Sequence, residues 1–326
     1  MMKKLSILMF AMFLISISAK SALAIDMGIV TGGPKGTYYQ FGLNMKRLVR
    51  QNGINLKVAN SKGSVENIYA VYKRPHTQLG LVQSDVLAFV SRVQTNPVLK
   101  RIAQKIKLVF PLYNEEIHLV GHRDILNFDD LAGRRVAIGK EGSGTYLTAK
   151  LLFEISEIEP AELRAIGTDE ALAQLKDGRV DAMFYVAGYP VKLFQENVSE
   201  RDELAVIPIL NKNLTEFYPM AKIPAKTYPW HIEPVDTIAV KCALVTFNFR
   251  GVNCDYVGKF AGIVYNNLEW LKKNGHPKWN LVDLNYPLKG WQQYDCVQKY
   301  LGKRRQLQRR KPAAINPVLE AIKEMM

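Results

Sequence analysis

Apolar positions along this chain switch repeatedly between two periods. Short apolar runs bounded by polar or glycine-containing turns read as strands at 27–30, 56–60, 79–82, 106–112, 136–138 and 180–185. Between them the spacing lengthens. Tyr38, Phe41, Met45, Leu48 and Val49 recur at helical intervals, which predicts a helix over 37–51. Further helices are predicted from Gly63-Ser64-Val65-Glu66-Asn67 onward, from Gln83-Ser84-Asp85 through Val93, and over 145–155, 169–176 and 190–197. Extended character resumes at 117–121 after the polar break Tyr113-Asn114-Glu115-Glu116, and 129–133 reads as a turn. Strands alternating with helices predict an α/β fold whose sheets are covered by helices.

The polar break at 113–116 is the first place where a strand leaves one lobe. The proline-marked stretch 218–224 reads as the return. This predicts a discontinuous domain 1 (25–112 and 219–326) and a domain 2 (113–218). Two crossovers make a hinge, which suits closure around a ligand.

Composition adds location and charge. A chain of 326 residues can build two proper cores. No internal apolar stretch reaches the ~20 residues that span a bilayer. The N-terminus has Lys3 and Lys4, an apolar run over 5–18, and the small-x-small sequence Ala22-Leu23-Ala24. Residues 1–24 therefore read as a signal peptide, with Ile25 as the first mature residue and a periplasmic destination. No cysteine follows the cleavage site to carry a lipid. Loss of Lys3, Lys4 and Lys20 lowers the net charge from +14 to +11. Nucleic acid is a poor match, because the protein is exported and its charge is spread. The dense run from Lys303 to Lys311 reads either as a solvated face or as a contact for anionic lipid or a membrane partner. Three cysteines without a C-x-x-C pair exclude zinc-ribbon and thioredoxin-type sites. Cys242 lies in a strand-like run over 237–247 and behaves as a small buried hydrophobe. Cys254 and Cys296 flank a polar, aromatic-rich insert, and we expect them to pair in an oxidising compartment.

Two segments look alike. Thr31-Gly32-Gly33-Pro34-Lys35-Gly36-Thr37-Tyr38-Tyr39 and Gly139-Lys140-Glu141-Gly142-Ser143-Gly144-Thr145-Tyr146 each follow a predicted strand and open a predicted helix, with Gly36 and Gly144 108 positions apart. Free N–H groups and the positive end of the dipole make such a loop an anion cradle. One alone is a weak signal and serves equally as a turn. Two in separate halves suggest two walls around one small ligand. Neither is a nucleotide motif. No lysine follows Gly36 or Gly144, and the second loop lacks the third glycine of the dinucleotide fingerprint.

Ser143 and Thr145 add hydroxyl donors. Gln83 and Asp85 sit at a strand's C-terminal end, where open α/β sheets bind ligands, although Ser84 or Asp85 also suits a helix cap. Ser64 and Asn67 stand at a similar place. Glu115 can receive a ligand ammonium or be ordinary surface. Asp181 reads as a cap, a hinge contact or a ligand group, and Tyr185 to Pro190, with Gly188, as an aromatic wall. No Gly-x-Ser-x-Gly elbow or His-Glu-x-x-His motif occurs. His118 and His122 are four apart in a strand-like context, a spacing that does not converge on a metal. An exported enzyme using Glu115 and Asp85 as an acid–base pair stays open from sequence.

Taken together, Thr31-Gly32 with Gly36-Thr37-Tyr38-Tyr39, Gly63-Ser64 with Asn67, Gln83-Ser84-Asp85, Tyr113 with Glu115, Gly139, Gly142-Ser143-Gly144-Thr145, Asp181-Ala182, Gly188 with Pro190, and Ile223-Pro224-Ala225 with Thr227-Tyr228 resemble the TAXI family of solute receptors over most of residues 27–265. The resemblance implies a type II periplasmic-binding-protein fold of two α/β lobes, without a cofactor. It implies capture of a small anionic or zwitterionic solute, glutamate-like or another organic acid, for TRAP-type membrane permease subunits. An ABC-type or signalling receptor of the same fold is the alternative. The implied ligand set is Thr31, Gly36, Thr37, Tyr38, Tyr39, Ser64, Asn67, Gln83, Asp85, Glu115, Ser143, Gly144, Thr145, Asp181 and Gly188. The chain departs from the family pattern after about residue 265, and segment 266–326 receives no ligand role.

Overall fold

The computed structural model describes residues 24–92 and 96–302. Residues 1–23, which hold most of the expected signal peptide, the helix end at Val93, and the basic run 303–311 lie outside the described residues.

The first part of the chain forms β1 (Ile25–Val30), α1 (Thr37–Arg50), β2 (Ile54–Ala59), α2 (Ser64–Lys73), β3 (Leu79–Gln83), α3 (Ser84–Arg92) and α4 (Pro97–Ala103). The middle forms β4 (Ile106–His122), β5 (Arg135–Ala137), α5 (Gly144–Ser156), β6 (Glu162–Arg164), α6 (Thr168–Lys176), β7 (Ala182–Ala187), α7 (Lys192–Asn197), β8 (Leu204–Ile207), α8 (Lys212–Phe217) and β9 (Met220–Ile223). The last part forms β10 (Val235–Phe247), α9 (Val252–Asn266), α10 (Leu268–Asn274) and α11 (Asp295–Tyr300). In α1 the residues read as one face from their spacing are the buried ones: Tyr38, Phe41, Met45, Leu48 and Val49.

The strands follow the order β2-β1-β3-β10-β4-β7-β5-β6, with β8 added to β4 and β9 to β10. β1 pairs in parallel with β2 and β3, and β5 with β6 and β7. Each parallel group is reached by helical crossovers. Two long antiparallel strands join the groups. β4 has 17 residues and β10 has 13. Their ladder runs from Phe247↔Ile106 to Ala239↔Glu116.

The apolar cores divide along these strands. Two clusters draw on residues up to Tyr113 and from Cys242 onward, including Phe41, Phe110, Leu244, Phe260 and Trp279. Two others draw on residues between Ile117 and Val240, including Phe128, Phe153, Phe184, Phe194 and Trp230.

Two sequence expectations change here. The segment 113–116 does not interrupt the strand, because β4 runs straight through it with Tyr113, Glu115 and Glu116 buried. The return is also later than 218–224. Tyr218, Ile223, Tyr228 and Val235 belong to the second pair of clusters, and β9 is held there by pairing with Val235 to Ile238 of β10. The chain changes core inside β10, between Val240 and Cys242. The first change of core does fall at 113–116, where β4 passes unbroken from one pair of clusters to the other, whereas the prolines near 219 and 224 mimicked a return that lies farther on, inside β10.

Cys254 and Cys296 form a disulfide with Cα atoms 5.6 Å apart, fastening α11 to α9. Cys242 is free and buried.

Candidate functional site

Four helices begin at one cavity of about 380 Å³. They are α1, α2, α5 and α6, with Gly36, Gly63, Ser143 and Gly167 at their N-caps. Each of these residues lines the cavity, as does the first helical residue behind it: Thr37, Ser64, Gly144 and Thr168. Three N-caps are glycine and offer no side-chain bond, so those first-turn N–H groups keep no local side-chain acceptor. Only Ser143 caps, its Oγ accepting the Tyr146 N–H at 3.0 Å. The positive ends of four helix dipoles thus meet around one small space.

Two glycines permit this convergence. Gly63 has φ +130°, a backbone that favours glycine, and a Cβ there would lie 3.3 Å from the Gly144 nitrogen. A Cβ on Gly144 would fall 1.9 Å from Gln83 Oε1. The α2 and α5 N-termini therefore approach at backbone distance, and the Glu66 N–H donates to the Gly142 carbonyl at 3.2 Å.

One wall carries a buried polar network. Tyr38 OH donates to Glu115 Oε1 at 2.7 Å and lies 3.4 Å from Ser64 Oγ. Gln83 Nε2 donates to Glu115 Oε2 at 3.4 Å, and the Gln83 N–H donates to Ser64 Oγ at 3.1 Å. Glu115 is 1% exposed, and burial raises its pKa to about 8 although the Tyr38 and Gln83 donors pull the other way. The wall thus presents a largely neutral carboxyl at pH 7. Beneath it Thr148 Oγ1 donates to Asp85 Oδ2 at 2.7 Å, and burial lifts Asp85 to about 6. On the facing wall Thr145 Oγ1 accepts the Val186 N–H at 3.2 Å, which leaves the hydroxyl proton available to a ligand.

The mouth is charged. Lys62 and Lys140 line it, exposed, and neither forms an ion pair among the described residues. Across the mouth Lys35 Nζ meets Asp169 Oδ1 at 2.6 Å, tying the first glycine loop to the start of α6.

Of the expected ligand residues, Gly36, Thr37, Tyr38, Ser64, Gln83, Glu115, Ser143, Gly144 and Thr145 line the cavity. Thr31, Tyr39, Asn67, Asp85, Asp181 and Gly188 are not among its lining residues. Asn67 Nδ2 donates to the carbonyls of Thr31 (2.5 Å) and Leu81 (2.7 Å), which pins α2 to β1 and β3. Tyr39 is half-buried on α1. Asp181 pairs with Arg135 at 2.7 Å, joining β5 to the turn before β7. The Gly188 carbonyl accepts from Thr37 Oγ1 at 2.6 Å. His118 is enclosed by Tyr228 OH (2.8 Å) and the Glu116 carbonyl (3.0 Å), and burial lowers its pKa to about 4.

Sequence reasoning missed Lys62, Lys140 and the start of α6. Gly167-Thr168-Asp169-Glu170 does carry a helix-start signal, with two acids in the first turn. Nothing in that pattern says which helix starts meet in space.

The model of the NMT1-like family matches residues 29–286, and the chain belongs to that family. Among solved structures it is similar to the periplasmic binding protein BugD, at 10% identity over 91% of this chain and 96% of that one, with a TM-score of 0.57. A periplasmic transporter matches at 18% identity over 94% and 95%, TM-score 0.52. A protein of Bordetella bronchiseptica RB50 matches at 15% identity over 91% and 88%, TM-score 0.51. The fold is the mixed α/β fold of periplasmic binding proteins.

Proposed function

We propose that this protein is a non-enzymatic, periplasmic solute receptor that captures a small carboxylate-bearing solute between two lobes. The lobes follow the expected discontinuous division, with the second crossing moved from 218–224 into β10, so that 219–240 goes with domain 2 and the part from Cys242 onward with domain 1. The observation that carries this reading is the convergence of four helix N-termini on a single cavity flanked by both pairs of core clusters. Unpaired N–H groups, hydroxyls and dipoles there favour an anion that bridges both walls. The names of two structural neighbours, a periplasmic binding protein and a periplasmic transporter, agree with receptor work and with export.

The finer reading follows the TAXI resemblance: delivery of a glutamate-like amino acid or organic acid to a TRAP-type permease. In it Ser143, Gly144 and Thr145 take the carboxylate, and Glu115, neutral in the free protein, gives up its proton to pair with an ammonium where the ligand has one. An ABC-type or signalling receptor would use the same cavity and differ only in its membrane partner.

A thermal-shift screen of amino acids and organic acids, followed by calorimetry, tests the ligand class. A cleft ligand at a hundred times its Kd stabilises the fold by roughly 2.7 kcal/mol. Carboxylates should shift the transition while matched amides and alcohols do not. A response confined to uncharged or cationic compounds would refute the anion reading. Co-purification with TRAP-type membrane subunits rather than ABC-type subunits decides the transporter class.

A further inference from the structure

The segment after α10 has no part in the cavity lining, yet it grips both halves of the molecule. His276 N–H and Trp279 Nε1 both donate to Asn44 Oδ1, at 2.8 and 3.0 Å. The Trp279 ring stacks on Phe41, with centroids 4.2 Å apart. These contacts fix the segment to α1. In the other direction, His276 Nε2 lies 3.2 Å from the Pro190 carbonyl. Lys278 Nζ lies 2.7 Å from each oxygen of Glu116 and 3.5 Å from the Tyr189 ring centroid. The Lys278 side chain is 0% exposed and that of Glu116 is 5% exposed. A Cβ on Gly188 would lie 2.9 Å from Lys278 Cγ, so the turn after β7 is moulded against the lysine stem.

A lysine is rarely enclosed this fully. For a buried ion pair the loss of hydration roughly cancels the attraction, so the pair adds little net stability against an apolar pair of the same size. What it does provide is a defined geometry: an ammonium with three donors, two carboxylate oxygens and a ring face, all fixed together. The parts it fixes lead to the cavity. α1 opens with the lining residues Thr37 and Tyr38, and Ala187 is a lining residue at the other end of the grip.

We propose that residues 276–279 form a strap between the two lobes, in which Lys278 is a positioning residue that holds the 187–190 turn against α1 and so sets the cavity wall. The affinity part of this proposal rests on the reading of the cavity as a ligand site; the part concerning the turn does not.

Hydrogen–deuterium exchange on the full chain tests the strap, with Lys278→Met and the double variant Glu116→Gln/Lys278→Met. Peptides covering 185–191 report locally, because Glu116 faces Ala187 across the ladder and the Val191 N–H donates to Tyr228 OH at 3.1 Å. Peptides from β1 and β2 serve as the distant reference. Lys278→Met should accelerate exchange at 185–191 about tenfold beyond any change in the reference. The double variant leaves no buried charge at this pair. It should recover the wild-type urea midpoint but not the protection at 185–191, and its affinity for the probe L-glutamate should fall about tenfold. If the double variant regains wild-type protection at 185–191, or if exchange rises equally in the reference, the pair serves stability alone and the strap is refuted. Should Lys278→Met fail to fold, the double variant decides. If wild type does not bind L-glutamate, that ligand choice fails, and the exchange result still decides the strap.

Discussion

Glu115 should make folding stability fall as pH rises through the neutral range. Its carboxyl is enclosed by β4, Tyr38 and Gln83, and burial outweighs these donors, which raises the pKa from an ordinary 4.5 to about 8. In the unfolded chain the group ionises near 4.5. Between these values the unfolded state releases a proton that the folded state retains, so unfolding becomes easier with each step up in pH. The stability that the neutral carboxyl contributes is complete below about pH 4.5 and is lost as pH rises through about 8. At about 1.4 kcal/mol per pH unit, the whole window is worth on the order of 5 kcal/mol. Glu115→Gln removes the titration and keeps an oxygen to accept from Tyr38. Urea unfolding of both proteins at pH 5, 6, 7 and 8 gives the difference directly. The Asp85 contribution, with its pKa raised to about 6, is present in both and largely cancels. Wild type should lose at least about 1 kcal/mol per unit relative to the variant between pH 5 and 7. A difference that stays constant within about 0.5 kcal/mol across the series would show that Glu115 is ionised in the folded protein and that the neutral-wall argument is wrong.

Three further outcomes are expected. Thr145→Val and Ser143→Ala should each weaken carboxylate binding about tenfold without unfolding the protein, since bonds to a charged group contribute roughly 1.5–3 kcal/mol; unchanged calorimetric affinity in both would make the α5 cradle structural. Replacing Cys254 and Cys296 by serine should cost roughly 3–4 kcal/mol, given a sequence separation of 42, and urea curves that superimpose on wild type would refute this. Mass spectrometry of the exported protein should find Ile25 first, and an intact Met1 in a membrane fraction would refute cleavage.

Local sequence rules carried the element types well and the long-range organisation less well. The α1 face was readable because five apolar residues share a helical period and one buried side. The strands of the parallel groups were readable as short apolar runs, except β6, whose Glu162-Leu163-Arg164 has no such run. By contrast, β4 holds Glu115 and Glu116 inside its ladder, where one is bonded by Tyr38 and the other by Lys278 from 162 positions away. A pattern rule sees two adjacent carboxylates and expects solvent. The glycine loops were legible as helix starts because glycine, hydroxyls and an apolar period coincide locally. Asn67 and Asp181 resemble ligand groups in the same local way. Their bonds to Thr31, Leu81 and Arg135 come from topology, which pattern does not encode.

The strength of the contacts between the lobes bears on how the proposed closure would be controlled. At the mouth, Lys35 and Asp169 are 42% and 66% exposed, so their ion pair is worth at most about 1 kcal/mol and weakens with salt. The Glu66–Gly142 backbone bond adds a similar amount. The buried contacts between the halves lie elsewhere, at Thr148–Asp85, Thr37–Gly188 and Lys278–Glu116. The mouth alone therefore holds closed by only a few times thermal energy. A carboxylate accepting from two or more helix N-termini on opposite walls gains more than that, at roughly 1.5–3 kcal/mol per charge-assisted bond. In the receptor proposed above, a bound solute therefore adds more to the closed form than either contact at the mouth does. For the receptor we propose, that is the energetic condition for closure to report occupancy to a membrane partner.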